Sequence, residues 1–469
     1  MKIKSLFINS LLSASLSFAP FAMAGSADDD TPKKVTLNPQ TMRELVEKRN
    51  LAIKLELDNL YAAKTNVSLA SANLLPSLSV GFGVSNPISF ALKAASFLLP
   101  FLLPSNWLNL REAQIQLQAE GLGFYALKLN TFASTEGLYY TLIGDLEAQK
   151  LLHDQAKVMD DIYKLVKARN DFGFAKPGDV ADAESNKATA HAQAMQADLV
   201  VNNELAAVRK FLRLNPETEI MVEENHESPS DQEGKTAQQL ADEVIEKSPE
   251  YRQMTFLAVA AAAKMRSVEY SFFNVATLGA SSGSNGASTS FSDLKVGIGL
   301  NLSFGLIPQI KLSEIAIDQI KDQQKLLVQD QKYNIEMTMN GLNTALAQYD
   351  DYASAEKNAR AAYNELLSQY RAGLLALLPV YIATTKVTAA AASRIQSMVN
   401  VDNQRVSLKR ILRSDEFQNI KPCELHRFGE VKGGLFKHAK SVFSSSKISI
   451  EQACGAIQAA ELPPEKNLN

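Results

Sequence analysis

The sequence predicts a mainly α protein with a small β part, built from one structural plan used twice and leaving helix faces that a single chain cannot close over. Three observations carry this reading. Two halves offset by about 200 residues show the same order of elements. Each half holds a helical stretch of about 60 residues, far longer than a compact core uses. Ahead of each long helix lies a short segment in which apolar and small or polar residues alternate strictly.

The N-terminus carries Lys2 and Lys4, an apolar stretch over residues 6–18, and Ala22-Met23-Ala24 before Gly25. These are the three parts of a secretory signal peptide, so residues 1–24 are expected to be removed on export. The apolar stretch is too short to span a bilayer as a helix, and no cysteine follows the small residues to take a lipid.

The first repeat occupies residues 25–214. It opens with a helix over residues 41–73, which has no internal glycine or proline, and after a strand region continues as a long helix over 106–170 and a return helix over 179–214. Residues 215–235 are acidic, contain Pro229 and Gly234, and read as a surface connection. The second repeat, residues 236–413, opens with a helix over 236–270 that Pro249 interrupts, with Ser248 placed to cap the fresh start. Its long helix covers 310–370 and its return helix 379–413. Residues 414–469 form a tail punctuated by Lys432-Gly433-Gly434 and Ser444-Ser445-Ser446, expected to wrap the helices as short elements.

At about 1.5 Å per residue the long helices reach on the order of 90–95 Å. In the first, Leu152, Ala156, Met159, Tyr163 and Val166 follow alternating steps of four and three, a coiled-coil seam. The return helix answers with Ala190, Ala194, Ala197, Val201, Leu205, Val208 and Leu212, a narrow stripe whose alanines allow close approach. An opening helix plus a return helix roughly equals one long helix, so two short helices stacked end to end fit beside each long one. A cylinder of such pseudo-continuous helices needs more than one chain.

The sharpest strand signal is Leu294, Val296, Ile298, Leu300, Leu302 and Phe304, alternating with Lys295, Gly297, Gly299, Asn301, Ser303 and Gly305. That pattern suits a tilted strand with one face to lipid and small side chains to a lumen, and equally a half-buried soluble strand. Residues 272–280 are its expected hairpin partner across the Ser281-to-Gly286 turn. In the first half Leu78, Val80, Phe82 and Val84 repeat the alternation, but the expected partner, residues 88–103, contains Pro100 and does not alternate. Trp107 follows it, as suited to a lipid–water boundary as to ordinary packing.

Composition removes other classes. A net charge of -3 with interspersed signs gives no nucleic-acid footprint. His153, His191, His226, His426 and His438 show no metal-ligand spacing and read as solvated surface residues, and no phosphate loop or nucleophile elbow occurs, so no catalytic residue, metal or cofactor is expected. Cys423 and Cys454 form a disulfide candidate in an exported chain, with free thiols or a metal pair with His426 as the alternatives.

The turns are the most specific residues. Gly173 and Gly373 end the two long helices at matching positions, where glycine tolerates a left-handed cap; Asp179 reads as an N-cap, and Pro379 suits a first helical turn. The runs Arg169-Asn170-Asp171-Phe172-Gly173-Phe174-Ala175-Lys176-Pro177-Gly178-Asp179-Val180 and Ser368-Gln369-Tyr370-Arg371-Ala372-Gly373, in this order of elements, resemble the periplasmic turns of the TolC-like outer-membrane efflux family. The resemblance covers residues 41–413 and implies a homotrimer: a periplasmic α-helical tunnel capped by an outer-membrane β-barrel, its tips meeting a periplasmic adaptor and an inner-membrane transporter for efflux or type I secretion. It departs from the family at residues 88–103, and again at the second turn, where Pro379 and Ile382 replace the aspartates often found there. The rival expectation is a periplasmic helical scaffold or assembly protein without a working barrel.

Asp179 and Asp182 lie three apart on the return helix, and threefold symmetry turns them into a carboxylate ring that favours cations, against a plain helix-dipole role. Tyr370 stands where the resemblance places a tyrosine that holds the closed tip through the first-turn aspartate. A Tyr370–Asp179 hydrogen bond is therefore expected as a gate latch, with Lys176 or Arg371 replacing the family's arginine, whose place Leu375 takes.

Overall fold

In the computed structural model the described residues are 34–74, 103–272, 305–418 and 420. The signal peptide, both alternating segments, the 88–102 stretch, Cys423, Cys454, His426, His438 and the tail beyond residue 420 lie outside them.

The elements follow the duplicated plan. β1 (Lys34–Leu37), α1 (Pro39–Arg49) and α2 (Leu51–Ala72) precede the long α3 (Pro104–Asp171) and the return helix α4 (Pro177–Phe211). β2 (Glu219–Val222), α5 (Ala237–Val244) and α6 (Pro249–Glu269) precede the long α7 (Leu306–Arg371) and the return helix α8 (Leu377–Leu412). No helix among the described residues is long and apolar enough to cross a membrane.

Two local expectations change. The opening helix is not continuous: Asn50 adopts extended backbone, with ψ 126, and its side-chain oxygen accepts from the N–H groups of Ala52 and Ile53. Asparagine can thus end one helix and cap the next without any glycine or proline to announce it. Asp179 is not an N-cap either; Lys176 holds that place and Asp179 lies in the first turn. The break at Pro249 is as expected, with Ser248 Oγ accepting from Tyr251 N–H.

α3 and α7 are the two rails. In the half toward the turns, helices lie in the order α4, α3, α8, α7; in the other half the order is α2, α3, α6, α7. α6 therefore continues α8 end to end, the junction closed by an Arg410–Glu250 ion pair, and α2 continues α4 along the outer side of α3. The predicted stripe on α4 faces α3: Ala190, Ala194, Val201, Val208 and Leu212 are buried, as are Ala156, Met159 and Val166 opposite, and Tyr163 packs against them with Lys187 of α4 over its ring, 4.9 Å from the centroid.

Helix α8 reaches α3 because Gly144 leaves room for it. A Cβ there would sit 2.3 Å from Val399 Cγ2. Gly144→Ala gains about 1 kcal/mol of helix propensity but overpacks this contact at about 1–3 kcal/mol, so a net loss of about 1 kcal/mol is expected. Adding Val399→Ala should restore the melting temperature; a single mutant as stable as the parent would refute the contact's role.

The helix junctions are girdled by a two-stranded parallel sheet, β1 on β2 with Lys34 opposite Glu219 and Leu37 opposite Val222. Beneath it Leu37, Met42, Val46, Phe132, Tyr139, Leu212 and Phe417 form a core. Arg43–Glu136 and Lys128–Glu47, the latter at 2.6 Å, tie α1 to α3. Arg213 and Arg413, at the ends of the two return helices, both take left-handed φ values of 52 and 51, a conformation costing a non-glycine residue roughly 1–2 kcal/mol.

Residues 215–235 are largely exposed, and the buried Glu227 anchors them to α8. Lys409 pairs with Glu227, which also accepts from the Tyr140 hydroxyl. Arg405 Nη1 donates to the Glu227 carbonyl at 2.9 Å and Arg405 Nε to Glu233 Oε1 at 2.9 Å. Asp402 accepts from the Glu227 N–H at 3.0 Å and lies 2.8 Å from His226 Nδ1. His226 lies at the surface as expected, yet its hydrogen bonds to Asp402 and then Glu147 raise its pKa from 6.5 to about 9. A raised pKa stabilises the fold fully below the unfolded value of 6.5, and that contribution fades as pH climbs through about 9. The melting temperature should fall over that interval, and His226→Gln should flatten the fall; equal slopes in the two proteins would remove His226 from the account.

Candidate functional site

The functional candidates gather where the two hairpins turn. Both long helices end in the same hydrogen-bonded cap. Gly173, with φ +77, donates to Asn170 O at 2.9 Å and Phe174 N–H to Arg169 O at 2.7 Å. Gly373, with φ +78, donates to Tyr370 O at 2.9 Å and Leu374 N–H to Gln369 O at 2.9 Å. Only glycine enters this left-handed region at no steric cost, so both helices stop where the sequence places one.

Beyond the caps the chain shows apolar side chains to solvent. Phe172 is 76% exposed, Phe174 75% and Leu374 79%, with Leu378 and Ile382 also exposed. Such a cluster at the ends of helices otherwise rich in polar residues has the composition of a contact surface.

Behind the caps the hairpins lock together through a shared apolar cluster of Ile162, Val166, Ala183, Tyr370, Leu377 and Val380. Tyr370 is the centre of the lock. It is buried, and the Arg169 guanidinium lies over its ring, 4.7 Å from the centroid. Arg169 Nη1 also donates to the Tyr370 carbonyl, and a Cβ added to Gly373 would come 3.6 Å from Arg169 Nη2. One arginine of the first hairpin thus pins the end of the second.

This arrangement differs from the expected latch. No hydrogen bond joins Tyr370 to Asp179 among the described residues; Asp179 Oδ2 instead accepts from Lys176 N–H at 3.2 Å. Lys176 and Arg371 are exposed, and the cation over the Tyr370 ring is Arg169 instead. With Leu375 in the place of the family's arginine, Lys176 or Arg371 was the expected substitute, whereas the charge comes from Arg169, on the opposite hairpin. The guanidinium suits the place better than an ammonium, because it stacks on a ring and donates to a carbonyl at once.

The two aspartates are nevertheless brought to the same spot. Asp179 is half-buried and Asp182 exposed. Burial chiefly raises the Tyr370 hydroxyl, with the Asp179 charge adding to the rise and Arg169 opposing it. Tyr381, which the sequence reading did not single out, feels both carboxylates: burial first, then the Tyr370, Asp182 and Asp179 neighbours, push it up to about 12. Its position on α8, two residues after Pro379, carried no charge pattern to mark it.

No family model matches the sequence, and no curated protein is similar enough to match it. Solved structures do match. The outer-membrane protein VceC of Vibrio cholerae aligns at a TM-score of 0.62 with 14% identity, over 80% of this chain and 95% of that one. The CmeC outer-membrane channel of Campylobacter jejuni aligns at 0.62 with 15% identity, over 84% and 92%. The open-state MtrE outer-membrane channel of Neisseria gonorrhoeae aligns at 0.60 with 14% identity, over 80% and 88%. The chain has the TolC-like fold of these channels, and the helical architecture expected from its repeats and turns is the one it adopts.

Proposed function

We propose that this chain is an outer-membrane channel of a Gram-negative bacterium, a homotrimer that passes substrates unmodified from an inner-membrane transporter through a periplasmic tunnel, with no catalytic step and no cofactor. The observation that carries the proposal is the open helical layer. The chain stacks its helices into a sheet-like array with free edges and leaves Leu199 and Met195 on α4, and Leu326, Tyr333 and Met337 on α7, largely exposed. Two such edges, one from each of two copies, close a cylinder by a heterologous contact, and a rotation that repeats three times closes a ring. The fold shared with outer-membrane channels supports the same reading.

In that trimer the exposed tip residues Phe172, Phe174 and Leu374 are the surface for a periplasmic adaptor, and the segment from Leu294 to Phe304 contributes to the barrel. Asp179 and Asp182 form the constriction, and Arg169 on Tyr370 holds each pair of hairpins closed. Asp179→Asn with Asp182→Asn should lower cation selectivity, read as a reversal-potential shift toward zero in a salt gradient; an unchanged reversal potential would take the carboxylates out of the pore. Native mass spectrometry of the detergent-extracted protein should give a trimer, and salt washing should leave it in the outer membrane. A monomer released by salt alone would favour the periplasmic scaffold.

A further inference from the structure

The polar pairing between α3 and α4 changes character along the contact. The helices run antiparallel, so each level sets a residue of one against a fixed partner on the other. Nearer the turns, acids meet donors. Asp160 Oδ1 on α3 lies 2.6 Å from Lys187 Nζ on α4. Asp198 on α4 accepts from Gln149 Nε2 of α3 at 2.7 Å and lies 2.7 Å from His153 Nε2. One step further along both helices, toward the girdle, the same register brings Glu204 of α4 against Asp145 of α3, in hydrogen-bond contact. Here an acid meets an acid.

The pair is walled in by apolar side chains. Val201 and Val208, a turn to either side of Glu204, are buried, as is Leu142, a turn before Asp145. Gly144, next to Asp145, is where α8 closes on α3, and Glu204 and Asp145 are themselves half-buried. The charged groups on the surrounding elements are engaged elsewhere. Arg394 of α8 pairs with Glu356 at 2.7 Å and reaches Glu147 of α3 at 3.9 Å, and His226 lies between Asp402 and Glu147. Arg209 Nε on α4 donates to the Thr218 carbonyl at 2.9 Å, and Lys150 and Lys210 are exposed.

Two carboxyls in contact away from water hold one proton between them, because a second negative charge would be neither solvated nor countered. Burial first, then the hydrogen bond and charge of Asp145, push Glu204 from 4.5 to about 8. We propose that Asp145 and Glu204 form a protonated carboxyl clasp that fastens α4 to α3 at neutral pH and releases it in alkaline medium, a pH-sensitive joint in the helical layer. The clasp belongs to the fold of the single chain and does not rest on the channel reading. A folded-state pKa above the unfolded one gives a stabilisation that is complete below 4.5 and is lost as pH rises through about 8. Over that interval local opening of α4 becomes up to about tenfold easier per pH unit.

Hydrogen exchange of the full chain in detergent, corrected for the intrinsic pH dependence of exchange, tests this. Protection of residues 197–208 should fall at least tenfold between about pH 6 and pH 8 in the parent. Glu204→Gln and Asp145→Asn each supply an amide that donates to the remaining carboxylate at every pH, so both should hold that protection constant. His226→Gln, which acts on the other side of α3, should fall as the parent does. Infrared difference spectra should show a neutral carboxyl at neutral pH that titrates near about pH 8 and is missing from Glu204→Gln. Constant protection in the parent, an equal fall in both amide variants, or no neutral carboxyl in the parent beyond that of Glu204→Gln would overturn the proposal.

Discussion

Arg169→Ala should raise single-channel conductance severalfold, while Tyr370→Phe should leave it near the parent value. The two outcomes separate a pin made by Arg169 from a latch made by the tyrosine hydroxyl. Arg169 stacks on the Tyr370 ring and donates to its carbonyl, and both contacts survive the loss of the hydroxyl. A charge-assisted hydrogen bond contributes about 1.5–3 kcal/mol and an exposed cation–π contact about 0.5–1 kcal/mol. Losing about 2 kcal/mol in each chain shifts each closed-to-open ratio by about thirtyfold, and the proposed trimer would lose three pins together. Arg169→Lys should fall between, because an ammonium keeps the charge but cannot stack and fork at once. Conductance that rises in Tyr370→Phe and not in Arg169→Ala would reinstate the tyrosine latch.

The largest effect on stability should come from Lys409→Met. Its side chain and that of Glu227 are each only 5% exposed, and the pair fixes the chain between the repeats to α8. Removing one partner of a buried ion pair strands the other charge at about 3–5 kcal/mol. The double variant Lys409→Met with Glu227→Gln should recover most of that loss, since a neutral amide can still accept from Tyr140 and the methionine keeps the lysine's stem volume. Thermal unfolding of the two proteins reads the difference; a double variant as unstable as the single one would show that the lost stability is packing rather than stranded charge.

What the sequence disclosed depended on the range over which each signal acts. The alanine stripe from Ala190 to Leu212 was legible because helix periodicity is local, and it lies buried as read. Gly173 and Gly373 were legible because a left-handed cap selects its residue type. The break at Asn50 was not, since asparagine also sits acceptably within helices and its capping hydrogen bonds are seen only once the backbone is known. The anchoring of the acidic connection was not legible for a different reason: Glu227 looks solvent-bound until Lys409 and Arg405, nearly two hundred residues later, are placed beside it. Arg169 was missed in the same way, its partner Tyr370 lying 201 residues away on the other hairpin. Long-range pairs between charged groups leave no periodicity to find.

Planar-bilayer recording of the purified protein tests the central claim most directly. Discrete conductance steps with cation selectivity, reduced by Asp179→Asn with Asp182→Asn, are the predicted result. A protein that forms trimers but passes no current, even with Arg169 replaced by alanine, would contradict the channel.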